Sequence, residues 1–169
     1  MIDPDRYQTN IWDLYPQKRL TLKKVYDKDD SENKEDSSSV IWGIVLLEHP
    51  KSEFQYYPYE ERKIAIAKAL GKVDWDEELI RSVVDSFFTP EARSLSLWNK
   101  KIEERDAFML NEVYTMSNAE DMDKLLKNTK VIKDGYRKAK EEYENSLGTA
   151  DAQIQGGAVE SYIEKLTRN

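Results

Sequence analysis

The sequence predicts an all-α protein: a helical bundle with two long helices in its C-terminal half, an extended N-terminal arm and a hinged C-terminal helix. Three observations predict it. Apolar residues recur at spacings of three and four through much of residues 77–143. Pro, Asp, Thr and Gly stand where helices start and stop. No period of 20–50 residues repeats, which sets a solenoid aside. The division that follows is an arm with an acidic linker over residues 1–39, a helical domain over 40–147, and a hinge with an amphipathic helix over 148–169.

The arm carries an apolar-aromatic patch, Ile11-Trp12-Asp13-Leu14-Tyr15-Pro16, with the length of an anchor rather than of a helix. Leu20-Thr21-Leu22 and Val25-Tyr26 alternate briefly, as a strand or an extended arm would. Asp27 to Asp36 has no apolar side chain apart from the stems of its lysines, so burial cannot offset its ordering entropy and it reads as a mobile linker.

Val40 to Pro50 is the most apolar stretch. Its β-branched content is compatible with a buried strand; its length, the Ser37-Ser38-Ser39 run before it and Pro50 after it favour a buried helix. An aromatic loop, Phe54-Gln55-Tyr56-Tyr57, follows. The next helix opens at Pro58 or Tyr59 and stops at Gly71. Asp74 or Asp76 caps another, with Leu79, Ile80, Val83, Val84, Phe87 and Phe88 on its apolar face.

Thr89-Pro90-Glu91 reads as cap, first-turn Pro and first-turn acid of a fourth helix carrying Leu95, Trp98, Ile102, Phe108, Met109, Val113 and Met116. A fifth, from about Ala119, places Met122, Leu125, Thr129, Ile132, Tyr136, Ala139 and Tyr143 on one stripe, with Gly135 inside as a weak point. Gly148-Thr149-Ala150 is expected to end it and Gly156-Gly157 to hinge a last piece bearing Val159, Tyr162, Ile163 and Leu166.

Composition narrows function mainly by exclusion. The 169 residues carry a formal net charge of −7 and no cysteine, and His49 is the only histidine. Thiol catalysis, disulfides and cysteine-held metals are excluded. An acidic balance argues against general nucleic-acid binding. Met1 to Arg6 is polar rather than signal-like, and no apolar run reaches the length of a membrane span, so a soluble protein compatible with a reducing environment is expected.

The acid pairs Glu60-Glu61, Glu77-Glu78, Glu103-Glu104 and Glu141-Glu142 diverge by about 100° on a helix and read as solvated faces. No phosphate-cradling Gly motif occurs. Asp27 to Ser38 resembles a calcium loop without its central Gly and final acid. His49 reads as a helix C-terminal residue meeting the dipole. No catalytic, cofactor or metal residue is assigned.

Two surface patterns remain. Lys130, Lys133, Arg137 and Lys140 fall within about 80° of one another on the fifth helix. They form either a solvated flank of the apolar stripe or a basic ridge for an acidic partner; Asp134 and Glu141 interrupt it, favouring the flank. Aromatics are the other: 10 Tyr, 4 Trp and 4 Phe, several in arms and loops. Such residues anchor protein–protein contacts. They either do so here, or fold back onto their own domain.

Val40-Ile41-Trp42-Gly43-Ile44-Val45-Leu46-Leu47, then His49-Pro50-Lys51-Ser52-Glu53-Phe54, then Tyr59-Glu60-Glu61-Arg62 resemble small virion proteins of tailed bacteriophages, especially the crAss-like group. The shared pattern is a helix with a central Trp, a Pro-x-Ser-x-Phe loop and a Glu-Arg helix start. The resemblance implies a head-to-tail connector: a subunit of a neck ring, commonly of twelve copies, that docks under the portal protein, meets other neck or tail rings and extends the DNA channel. It implies no cofactor, no membrane and DNA only in non-specific passage, in a virion assembled in the host cytoplasm. On that reading Ile11, Trp12, Leu14 and Tyr15 of the arm and Tyr162, Ile163 and Leu166 of the last helix contact neighbouring subunits, and Phe54, Tyr56 and Tyr57 an adjoining ring. Trp12→Ala would then weaken assembly and leave the helical fold largely intact. The alternative is a cytoplasmic helical adaptor or regulator that binds one protein partner through the fifth helix.

Overall fold

The computed structural model describes the backbone of residues 2–71, 73, 75–112 and 119–166, and the side chains of these except 110–112, 119–122, 125 and 149–166. Every regular element among the described residues is helical. The chain runs through α1 (Ile11–Leu14), α2 (Lys18–Thr21), α3 (Lys23–Lys28), α4 (Glu35–Glu48), α5 (Tyr59–Leu70), α6 (Glu77–Phe87), α7 (Pro90–Glu112) and α8 (Ala119–Leu166), with short 3-10 turns at Pro4–Arg6, Glu32–Lys34 and Glu53–Tyr56.

The most apolar stretch is α4, and every residue from Ile41 to His49 is buried. A helix without a polar face has to be enclosed, and α1, α5 and α6 pack on it. Gly43 lets Val73, between α5 and α6, come close as well, since a Cβ there would lie 2.6 Å from one of its methyls. The α4 segment is thus a helix, but it starts at Glu35, ahead of the serine run.

The serines serve another purpose, which corrects the expectation of an extended arm. Ser38 Oγ accepts from the Ile11 N–H at 2.9 Å, and Ser37 Oγ accepts from the Trp12 indole N–H at 2.9 Å. Ile11 and Trp12 are 0% and 1% exposed within this single chain, in one cluster with Ile2, Leu22, Ile41, Trp42, Ile44 and Val83. Residues 2–39 therefore fold back onto the domain, as a run of short helices. Trp12 meets Tyr26 edge to face at 5.0 Å, and the Trp42 indole donates to the Thr9 carbonyl at 2.7 Å.

Residues 27–36 are likewise ordered, by hydrogen bonds rather than by apolar burial. Asp29 is 8% exposed. Its Oδ1 accepts from the Ser31 N–H at 2.8 Å and its Oδ2 from the Ser37 N–H at 2.7 Å, so it caps the start of α4. Asn33 and Lys34, at φ 54° and 60°, turn the chain back on itself, and Lys34 Nζ donates to the Asp29 carbonyl. Burial would raise the Asp29 pKa; the hydrogen bonds from Ser31 and Ser37 outweigh it and hold the carboxyl well below the usual range.

The predicted stops and starts of α5 to α7 hold. Gly71 ends α5 at φ 86°. Asp76 Oδ1 accepts from the Leu79 N–H at 2.8 Å, and Thr89 Oγ1 from the Ala92 N–H at 3.3 Å. Val83, Phe87, Phe88, Ala92 and Leu95 are buried in the main cluster.

In the C-terminal half, α7 and α8 pack side by side and antiparallel, with residue 98 opposite residue 135. The stripe on α8 faces inward where it is described: Ala139 and Tyr143 are buried and Thr129, Ile132 and Tyr136 half-buried. Its Met122 and Leu125, and Val113 and Met116 of the fourth-helix reading, lie outside the described side chains. Phe108 of α7, expected on the apolar face, is exposed.

Gly135 is a packing requirement rather than a weak point. A Cβ there would lie 2.4 Å from the Trp98 indole. Gly135→Ala is expected to lower stability by about 1–3 kcal/mol through overpacking, despite a helix-propensity gain of about 1 kcal/mol. A thermal melt followed by circular dichroism checks this; a raised Tm would contradict it.

The expected hinge is absent. Residues 148–157 belong to α8, which is continuous for 48 residues. Each glycine in a helix interior costs only about 1 kcal/mol, and Ala150, Ala152, Gln153 and Ala158 around the glycines are good helix formers.

Candidate functional site

The aromatic loop between α4 and α5 presents the largest exposed aromatic surface among the described residues. Tyr56 is 94% and Tyr57 48% exposed. Phe54 instead packs half-buried on Leu46, Leu47, Ile66 and Val73. Ser52 Oγ caps the turn by accepting from the Phe54 N–H at 3.2 Å.

A buried arginine holds this loop from beneath. Arg62, on α5, is 3% exposed. Its guanidinium donates to the carbonyls of Leu47 at 3.0 Å, Gln55 at 3.2 Å and Tyr57 at 3.0 Å, and to Glu103 Oε1 at 2.6 Å. The Leu47 carbonyl is one of the last four of α4, which have no partner within a helix. Arg62 thus caps α4, fixes both sides of the loop and ties them to α7. The Gln55 side chain adds a bond to the His49 carbonyl at 2.5 Å and accepts from Asn99 at 3.2 Å.

Glu48 extends the network. It accepts from the Tyr59 hydroxyl at 2.9 Å and from Ser96 Oγ at 3.1 Å, and Lys100 Nζ lies 3.6 Å away. Burial, and then the Glu48 carboxylate, push the Tyr59 phenol above its ordinary pKa. The gap enclosed by these side chains is about 10 Å³, room for one water at most. The cluster therefore holds helices together and has no space for a substrate. Glu103 corrects the solvated-face reading of the acid pairs: it is the partner of Arg62, while Glu104 beside it is exposed.

His49 stands at the end of α4, as expected, but not as a cation. It is 1% exposed, edge to face on Phe88 at 5.1 Å. Its Nδ1 accepts from the Lys51 N–H at 3.2 Å, and Nε2 is buried without a partner. Burial first, then Lys51, push its pKa down to about 4 from an ordinary 6.5, against a small upward pull from Asp3.

The sign of the linkage follows. The unfolded chain takes up this proton near pH 6.5 and the folded chain only near 4, so stability is full above 6.5 and falls as pH drops between the two. The loss is expected to reach about 3 kcal/mol at pH 4. Asp29, with its pKa lowered, adds a further loss only below the ordinary carboxylate range of about 3.8. Urea midpoints at pH 7 and 4.5 check the first step, and His49→Gln should flatten it.

The remaining candidate residues separate clearly. Ile11 and Trp12 are interior and cannot present a surface to a neighbour. Leu14 and Tyr15 are half-buried, Tyr15 edge to face on Phe87 at 5.5 Å. The side chains of Tyr162, Ile163 and Leu166 lie outside the described residues. Lys130, Lys133, Arg137 and Lys140 are all exposed on α8, but Arg137 lies 3.5 Å from Asp134 and Lys140 3.9 Å from Glu144. Pairs so exposed contribute little to stability, and they dilute the ridge's positive field.

Arg62, Glu48 and Glu103 were not visible as a unit in the sequence. The one available signal was an arginine on the inner face of a helix, in register with Ile66. Among the described residues no helix is long and apolar enough to cross a membrane. The chain matches no known protein family, no curated protein and no solved structure.

Proposed function

We propose that the chain is a non-enzymatic assembly subunit of a tailed-phage virion, forming a ring in the portal neck that joins portal to tail and extends the DNA channel. The observation that carries this reading is the rigid display of Tyr56 and Tyr57 over the Arg62 network. Exposed aromatics on a preorganised loop lose little entropy on docking. The residues that resemble phage virion proteins run through this same region, from Val40 to Arg62. With Ile11 and Trp12 interior, contacts to neighbours fall to this loop and to α8. The net charge of −7 is compatible with DNA passing without sticking, since few phosphates would be neutralised.

Mass spectrometry of gradient-purified, washed particles tests the reading. A copy number near twelve per particle is expected, and absence from the particles would overturn it. Tyr56→Ala is expected to change stability by less than about 0.5 kcal/mol and yet reduce the amount of the chain in particles. The alternative, a helical adaptor that binds one protein partner, predicts a small complex of fixed stoichiometry instead.

A further inference from the structure

We propose that the outer face of the α7–α8 pair pairs with the same face of a second copy of this chain about a two-fold axis. On α7, Leu97, Lys101, Glu104 and Phe108 fall within about 60° of one another. All four are exposed, Leu97 by 54% and Phe108 by 46%. They lie to one side of Trp98, which packs on α8 at Gly135. Ser96, Asn99 and Glu103, which bond to α4, α5 and the loop between them, lie to the other side. On α8, Asp123, Lys127, Val131, Asp134 and Lys138 share a face about 80° wide. All five are exposed, Val131 by 64%. They lie to one side of Gly135, while Tyr136, Ala139 and Tyr143 lie to the other and pack on the main cluster. Both faces are therefore on the side of the helix pair turned away from the rest of the fold.

The order of these residues names the occupant. Set antiparallel to itself about an axis between residues 102 and 103, α7 puts Leu97 against Phe108 of the second copy and Lys101 against its Glu104, each contact occurring twice. No other register pairs all four. With residue 98 opposite 135, the same axis crosses α8 between residues 130 and 131. Val131 there meets Val131 of the second copy, Lys127 stands level with its Asp134, and Asp123 with its Lys138. Two helices of different sequence are thus self-complementary about one axis, as an isologous contact requires. A partner of other sequence would call for neither match. The remaining charges do not oppose it. Lys100 and Arg105, at the edges of the α7 face, hold Glu48 and Asp106 of their own chain. Lys124 stands level with Arg137 of the second copy, which is turned about 120° around the helix from Val131.

Within the chain Lys127 pairs with Asp123 at 2.6 Å, Asp134 with Arg137 at 3.5 Å and Lys138 with Glu142 at 3.9 Å. Such exposed pairs contribute little, so exchanging them for pairs across the axis costs little. A contact about 24 Å long and two helices wide is small for a stable complex, so association is expected at micromolar concentration or above. A two-fold contact closes after two copies and cannot by itself build a ring. The inference therefore goes beyond the assembly reading and does not depend on it.

Sedimentation equilibrium of the purified full-length chain tests the proposal, and a reversible monomer–dimer equilibrium is expected. Lys101→Glu alone and Glu104→Lys alone each set two like-charged pairs across the axis, and each should weaken the dimer roughly tenfold. An equimolar mixture of these two chains brings Glu against Lys at both places and should recover wild-type strength as a heterodimer. A repaired fold cannot explain that recovery, because the mixture contains the same two chains. Phe108→Ser should weaken the dimer as well. Lys127→Glu and Asp134→Lys repeat the charge reversal on α8, and replace the first pair if circular dichroism shows that either of its chains has lost helix. A chain that stays monomeric up to about 1 mM would overturn the proposal. So would a dimer that no single charge reversal weakens, or a mixture no stronger than its components.

Discussion

Trp12→Ala is expected to destabilise the fold by about 3–5 kcal/mol, the range for emptying a large aromatic from a core. The indole is 1% exposed, gives its N–H to Ser37 and meets Tyr26 edge to face. The substitution removes all of this and leaves the Ser37 hydroxyl without its donor. Domains are commonly stable by only about 5–15 kcal/mol, so the variant should be partly unfolded at moderate temperature. Denaturant unfolding followed by circular dichroism measures the change. Trp12→Phe, which keeps most of the ring volume, should lose distinctly less. An unchanged midpoint for Trp12→Ala would mean that residues 1–39 are an appendage after all.

Arg62→Met is the second large effect. Removing one partner of a buried ion pair typically costs about 3–5 kcal/mol, and the Arg62 side chain is only 4% exposed. Three carbonyls and the Glu103 carboxylate lose their donor together. Glu103 itself is 30% exposed and can recover water, so Glu103→Gln should cost less than Arg62→Met. Arg62→Lys keeps the charge but cannot reach four acceptors with one ammonium, and should fall between them. Because the same bonds hold the Tyr56 and Tyr57 loop, hydrogen exchange of the Gln55 and Tyr57 amides should accelerate in Arg62→Met beyond any global loss. Equal acceleration throughout the protein would show that Arg62 stabilises the fold without organising the loop.

The all-α class, the stops at Gly71, Asp76 and Thr89-Pro90 and the inward stripe from Thr129 to Tyr143 were legible because each depends on local chemistry or on helical periodicity. A cap acts on an amide two or three residues away, and a stripe repeats every 3.6 residues, so both leave a pattern in the order of residues. The aromatic loop was legible in the same way, as Phe54, Tyr56 and Tyr57 between two helices. Its exposure was not, and Phe54 turned inward while Tyr56 turned out.

The rest depended on groups distant in the chain. Ser37 and Ser38 have the spacing of helix caps, yet their hydroxyls hold Ile11 and Trp12 from more than twenty residues before them. Asp29 lies in a stretch without apolar side chains, and its order comes from amides that meet it only after the turn at Asn33 and Lys34. Gly135 is a defect by propensity and a requirement by packing, because Trp98 of another helix occupies the space of its missing side chain. Arg62 and Glu103 are ordinary charged residues until the folding of α5 and α7 removes water from between them. Local order along the chain determined which segments are helices. Desolvated contacts between segments far apart determined which side chains became core, and so which were left exposed.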